Sequence, residues 1–173
     1  LNIFYVDYFL DNNSVAKATR EANRRQLANQ TIGLKGRNSA PDSGDISLAM
    51  HVLGAKGELA VAQYLNIEHE VFKDKIPTRG SVDLPPNIDV KTRSKHWMDL
   101  VVQLDDNPKK IFVHATCEDN FVRLHGWTYG ERVMKDFFRK DPAGGRPAYF
   151  VRASVLHSIS LLKDFLIDLG YAK

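Results

Sequence analysis

The segment Val82-Asp83-Leu84-Pro85-Pro86-Asn87-Ile88-Asp89-Val90-Lys91 constrains this chain most. It reads as a tight β-hairpin around a Pro85-Pro86-Asn87 loop, which pairs Leu84 with Ile88, Asp83 with Asp89 and Val82 with Val90. Residues directly opposite share a face, and so do residues two apart. The four apolar residues therefore fall on one face, and Asp83, Asp89 and Lys91 on the other. Like charges directly opposite each other are unfavourable. A bound cation is the simplest way to make two facing aspartates stable.

The chain of 173 residues suits one domain with a real core. No apolar run approaches the length of a membrane span, and the start, Leu1-Asn2-Ile3-Phe4-Tyr5-Val6-Asp7, lacks the basic flank and cleavage site of a signal peptide. Cys117 is the lone cysteine, which excludes a disulfide framework and a cysteine zinc cluster and makes a cytoplasmic setting the expectation. A net charge of +3, spread over Arg24-Arg25, Lys73/Lys75, Lys91/Arg93/Lys95 and Lys109-Lys110, permits nucleic-acid binding without demanding it.

Period and punctuation predict the elements. Residues 2–10 read as a strand or an arm on the core. Ser14 would cap a polar helix from Val15 to about Gln30 that projects or meets a partner, and residues 31–44 would be a loop. Asp45 would cap a helix over 46–65, in which Gly54, Ala55 and Gly57 leave room for a sheet and Glu58 interrupts a small, apolar stretch. Strands are expected at 70–73, 88–93, 111–115, 121–127 and 149–151. Residues 100–104 would be a strand or an extended crossover. A short helix is expected over 131–139, and a closing helix over 155–169 capped by Ser154. The order makes this a mixed α/β (α+β) domain, with an N-terminal arm and polar helix over 1–44 and the main unit over 45–173. His114 and His125 read as core or strand-face residues, and Trp97 and Trp127 as packing residues.

Glu58, Asp83 and Asp89 supply oxygen ligands of the kind that suit Mg²⁺, with Mn²⁺ as a substitute. A cation held by few protein ligands takes a phosphate oxygen and lowers the pKa of a bound water. Lys91, in phase with Asp89, could orient that water. Arg93 is a candidate for phosphate contact, and Lys95 lies just beyond it.

Asp83 followed by Asp89-Val90-Lys91, after a helix carrying Gly57-Glu58, resembles the PD-(D/E)xK nuclease superfamily. Gly57-Glu58-Leu59-Ala60 through Tyr64-Leu65 is similar to the family's first helix, and Asp89-Val90-Lys91-Thr92-Arg93 to its signature strand, with Asp in the Asp/Glu position. The strand at 111–115, Gly126-Trp127 and Tyr149-Phe150-Val151 before a last helix resemble small stand-alone or phage-type members. Coverage is roughly residues 45 to 169. The resemblance implies a restriction-endonuclease-like core, a mixed sheet flanked by helices, and Mg²⁺-dependent cleavage of DNA. On this reading Asp83, Asp89, Glu58 and the Val90 carbonyl would hold Mg²⁺, Lys91 would position the attacking water, and Arg93 and Lys95 would contact DNA. A homodimer is among the expectations, as is a host-cytoplasmic setting if the protein is phage-encoded. The first acid lacks the family's common preceding Pro, and its gap to Asp89 is short, so Asp74 stands as the alternative first acid. A non-catalytic nucleic-acid-binding or assembly module on the same fold stands as the alternative function.

Overall fold

The helix over 44–64 presents apolar or small residues on nearly every side, a pattern that suits burial between two layers. In a computed structural model, which describes residues 5–31, 44–73 and 81–173, that helix is α2 (Gly44–Tyr64) and lies between a sheet and a second helix. Ala55, Leu59, Ala60, Val61 and Ala62 are fully buried along it. The second helix is α1 (Asn12–Thr31), and it packs on α2 through a narrow stripe that includes Val15, Ala18 and Ala22. Alanines at helical spacing give a weak apolar signal, which is why this helix reads as free when it is docked. Its cap is Asp11, whose Oδ1 accepts the Ser14 N–H at 2.7 Å, and Ser14 is buried within the first turn. The expected loop over 31–44 falls almost entirely outside the described residues, as does Asp74; α2 already includes Asp45, whose expected capping side chain is outside the description.

The main sheet runs β1 (Val6–Phe9), β5 (Phe121–Tyr129), β4 (Ile111–Glu118), β2 (Ile88–Arg93). β1 and β4 flank β5 antiparallel, and β2 pairs with β4 in parallel, Asp89 beside Phe112 and Lys91 beside His114. The chain between β2 and β4 passes through β3 (Leu100–Gln103), which belongs to a second sheet ordered β3, β7 (Ala148–Val151), β6 (Arg139–Lys140). The short helix α3 (Gly130–Val133) follows β5, and α4 (Ile159–Asp168) closes the fold. These elements make a mixed α/β domain with a mixed central sheet flanked by helices.

Each face of the main sheet has its own core. Val90, Val113, Ala115 and Leu124 meet α2 and α4 in the larger cluster, and Phe112 meets Leu100, Val102, Val133 and Val151 in the smaller. Because side chains alternate along a strand, Asp89 and Lys91 point to the side opposite Val90. That side is the one carrying Phe112 and the second sheet. Helix and strand approach closely where Gly57 meets β2: a Cβ on Gly57 would stand 1.9 Å from Thr92 Oγ1. Gly126, at φ 138°, sits at the register shift in the β4–β5 pair, where a Cβ would meet the His157 carbonyl at 2.3 Å.

Several local expectations are corrected. Residues 68–70 form a 3-10 turn in place of a strand, and Phe72 adopts a positive φ that a strand does not allow. Residues 131–139 divide into the end of α3, a 3-10 turn over Asp136–Phe138 and the start of β6. The closing helix starts after Ser158, whose hydroxyl accepts the Ser160 N–H, so the cap lies four residues beyond Ser154. Trp127 is buried as expected, but Trp97 is 79% exposed. Trp97 sits in a turn past the end of β2, closed by the Met98 N–H on the Lys95 carbonyl at 3.1 Å, and the turn holds it away from both cores.

Candidate functional site

The hairpin forms, but only for one residue pair. Leu84 and Ile88 exchange both backbone bonds, at 3.1 and 2.9 Å, as the loop predicts. Past that point the Asp83 N–H also turns to the Ile88 carbonyl, at 2.9 Å, so the ladder ends and neither Asp83–Asp89 nor Val82–Val90 pairs. The Asp83 side chain takes the place of the missing strand, its Oδ2 accepting the Val90 N–H at 2.7 Å. The two aspartates are therefore not cross-strand neighbours. Among the described residues β2 is an edge strand, and Asp83 lies along that edge, while Asp89 projects from one face of it.

Glu58 approaches from the other face. It is only 5% exposed on α2, one residue from the Gly57–Thr92 contact, so the small residue at 57 sets how near the edge of β2 it comes. The three carboxylates feel one another. Burial, then Glu58 and Asp89, push the Asp83 carboxyl well above the usual range; burial, Glu21 and Asp89 raise Glu58 despite its arginine partner. Asp83 also lines an open cleft of about 190 Å³, whose other walls include Arg24, Arg25, Phe72 and Lys73.

Cations surround this group, and two of them went unread in the sequence. Arg25, from α1, forks onto Glu58 with bonds of 2.7 and 2.6 Å, and its Nε donates to Glu21 at 2.7 Å. Bidentate pairing of this kind is the strongest common ion-pair geometry; the two glutamates raise the Arg25 pKa even against burial. Lys110 is 3% exposed and donates to Asp89 Oδ2 at 2.9 Å and to the Ser81 carbonyl at 2.8 Å. Lys91 stands 3.3 Å from Asp89 Oδ1 and 3.2 Å from Asp106 Oδ2, over the Phe112 ring. Arg25 and Lys110 read as ordinary surface charge because Glu58 and Asp89 lie 33 and 21 residues away from them. The one local signal was Glu21, three and four residues before the arginines on one helix face.

The other expected residues are placed as follows. Val90 turns its side chain into the main core. Arg93 is half-buried at the end of β2 and, by alternation, on the side of Asp89 and Lys91. Lys95 is exposed beyond it and paired with Glu118 at 3.0 Å. His114 and His125 are buried and stacked, ring centroids 4.6 Å apart, as expected of strand-face histidines.

Carboxylate oxygens at one strand edge are the right donors for a hard divalent cation, and the proton affinity of Asp83 is raised by its burial first and by Glu58 and Asp89 after it. The acids also have competing partners: among the described residues no group of three or more His, Cys, Asp or Glu stands in ligating positions. Arg25, Lys91 and Lys110 hold the oxygens of Glu58 and Asp89. The donor set thus fits such an ion by charge and chemistry, and ligation requires those oxygens to exchange partners. Comparison of the chain with family models, with curated proteins and with solved structures returns no match.

Proposed function

We propose that the protein is a Mg²⁺-dependent nuclease that hydrolyses DNA phosphodiester bonds, in the manner of the PD-(D/E)xK superfamily it resembles. The observation that carries this reading is the placing of Asp83 and Asp89 about the edge of β2, Asp83 Oδ2 on the Val90 N–H at 2.7 Å and Asp89 Oδ1 3.3 Å from Lys91, with Glu58 beside them on α2 where Gly57 meets that strand. Glu58, Asp83 and Asp89 would hold Mg²⁺ or Mn²⁺, with the Val90 carbonyl as a further ligand. When bound, such an ion neutralises a phosphoryl oxygen and acidifies a water.

The chain's own residues do the rest. Lys91, held by Asp89 and Asp106, presents an ammonium donor on the Asp89 side, where it orients a water and offsets charge on a phosphate. Arg93, one strand repeat further, is placed for the next phosphate. Asp83 opens to the cleft, where its carboxylate would be available to a cation. The rim of that cleft carries Arg24, Arg25 and Lys73 alongside Glu21 and Glu70, and these charges pair with one another, so a phosphate would meet the cations only by displacing the glutamates.

A second reading is favoured by a specific observation. The Arg25–Glu58 fork and the Lys110–Asp89 bond already fill the acid face with internal ion pairs. That is the arrangement of a non-catalytic module in which the acids are structural. Incubation of plasmid, linear and branched DNA with Mg²⁺ or with EDTA separates the two. The nuclease reading expects cleavage with Mg²⁺ alone, abolished in a folded Lys91→Ala protein. Absence of metal-dependent cleavage on every substrate, or full activity in Lys91→Ala, would overturn it.

A further inference from the structure

The run Lys135-Asp136-Phe137-Phe138-Arg139-Lys140 interleaves cations with aromatics. Its backbone sorts the two phenylalanines. The 3-10 turn over Asp136–Phe138 sends Phe138 inward, onto the cluster that also contains Phe112, and leaves Phe137 86% exposed. The Phe137 ring stands edge-on to Phe138, centroids 5.1 Å apart at 86°, so the exposed ring is propped by one anchored in the core. A single exposed apolar residue is ordinary. What surrounds this one is not. Lys135 precedes the turn in extended backbone, and Arg139 and Lys140 follow it on the edge strand β6; all three are exposed. Among the described residues none of the three forms an ion pair, whereas Lys91, Lys95 and Lys110 all do.

An aromatic face held out of the core among uncompensated cations matches one ligand class. Single-stranded nucleic acid offers bases that stack on aromatic rings and phosphates that meet lysine and arginine. Duplex DNA keeps its bases stacked and offers this ring nothing. Phe138 also shares its cluster with Phe112, over whose ring Lys91 lies, so the strip and the Asp89–Lys91 face belong to the same side of the main sheet.

We propose that residues 135–140 form a binding surface for single-stranded DNA, with Phe137 stacking on a base and Lys135, Arg139 and Lys140 contacting phosphates. The substrate class this assigns to the acid site, DNA with an unpaired segment, rests on the nuclease reading; the binding itself does not.

The test is anisotropy of a labelled 20-nucleotide oligo(dT), and of a duplex of equal length, with the full chain in EDTA so that nothing is cut. The expected result is preference for the single strand. Phe137→Ala should weaken it by about 5- to 150-fold, the range of one lost base stack, without changing the salt dependence. Arg139→Gln with Lys140→Gln should instead flatten the log–log salt slope by about 1.4, near 0.7 per phosphate contact. All these side chains are exposed, and circular dichroism checks that folding is retained. No binding to oligo(dT), equal affinity of Phe137→Ala and the parent, or Phe137-dependent binding only to anionic phosphatidylglycerol vesicles would each overturn the proposal. The two readings fail separately. Phe137-dependent binding without Mg²⁺-dependent cleavage sinks the nuclease, and cleavage with Phe137-independent binding sinks the strip.

Discussion

Replacing Gly57 by alanine is the sharpest perturbation of the site's framework. In the interior of a helix this exchange ordinarily stabilises by about 0.8–1 kcal/mol. At Gly57 the new methyl would stand 1.9 Å from Thr92 Oγ1 and 2.9 Å from both Thr92 Cβ and Cγ2. Rotation about χ1 moves Oγ1 and Cγ2 away, but Cβ is fixed to the backbone of β2, so helix and strand must part by a few tenths of an ångström even then. Overpacking of this kind costs about 1–3 kcal/mol. The expected net is a loss of about 0–2 kcal/mol, and Glu58, one residue on, is carried away from Asp83. Gly54 on the same helix is the control: its nearest neighbour would be Glu58 Oε1 at 3.9 Å, an ordinary contact, so Gly54→Ala should gain nearly the full propensity term. Urea unfolding followed by circular dichroism measures both, with an unchanged m-value identifying a stability effect. Thr92→Ala should partly rescue Gly57→Ala at little cost of its own, because the Thr92 hydroxyl is buried without a hydrogen-bond partner. If Gly57→Ala is as stable as Gly54→Ala, the close approach of α2 to β2 is not what the structure describes, and the placing of Glu58 loses its basis.

Removing Arg25 as Arg25→Ala strands the buried Glu58, while Glu21 keeps its fork to Arg24, and breaking a buried pair from one side costs about 3–5 kcal/mol; urea titration should show a loss of that order, and near-neutrality would mean Glu58 is already protonated. Burial lowers the His125 pKa to about 3, with neighbouring His114 and Arg123 adding to it, and burial lowers His114 as well. Both pKa values are depressed on folding, so the unfolded chain binds these protons more readily, and stability should fall as pH drops below about 6.5. The loss is at most about 1.4 kcal/mol per pH unit for His125, reduced where solvent screens its charged form; melting at pH 7 and pH 5 checks the sign, and His125→Gln should flatten the dependence. Mg²⁺ in hundredfold excess over its dissociation constant should stabilise by about 2.7 kcal/mol, reversed by EDTA; a melting temperature indifferent to Mg²⁺, Mn²⁺ and EDTA would count against any resident divalent cation.

Much of the fold was legible because period and punctuation agree over β2, β4, β5 and α2, where buried positions recur at the spacing of the element. The errors fall where tertiary contact overrides local pattern. α1 docks through alanines too small to register as an apolar face, and Ser154 yields its capping role to Ser158 because residues 153–155 first make a separate turn. At the site, the in-phase placing of Asp89 and Lys91 and the inward facing of Glu58 followed from alternation and from small neighbours. The cations could not be read the same way. Arg25 meets Glu58 across 33 positions and Lys110 meets Asp89 across 21, and no local pattern encodes such pairings. Trp97 went the other way, since a large aromatic is usually drawn inward and only the course of the chain after β2 leaves it outside.

The carboxylate of Asp83, lying along β2 and holding the Val90 N–H, also acts as a guard. An edge strand with open donors is a template for a strand from another molecule, and here one side chain occupies the donor at the middle of the edge. The same oxygens are the ones the proposed cation would claim. Occupancy of the site and protection of the edge are therefore drawn from a single group, and an Asp83→Ala protein should be judged for self-association at high concentration as well as for lost chemistry.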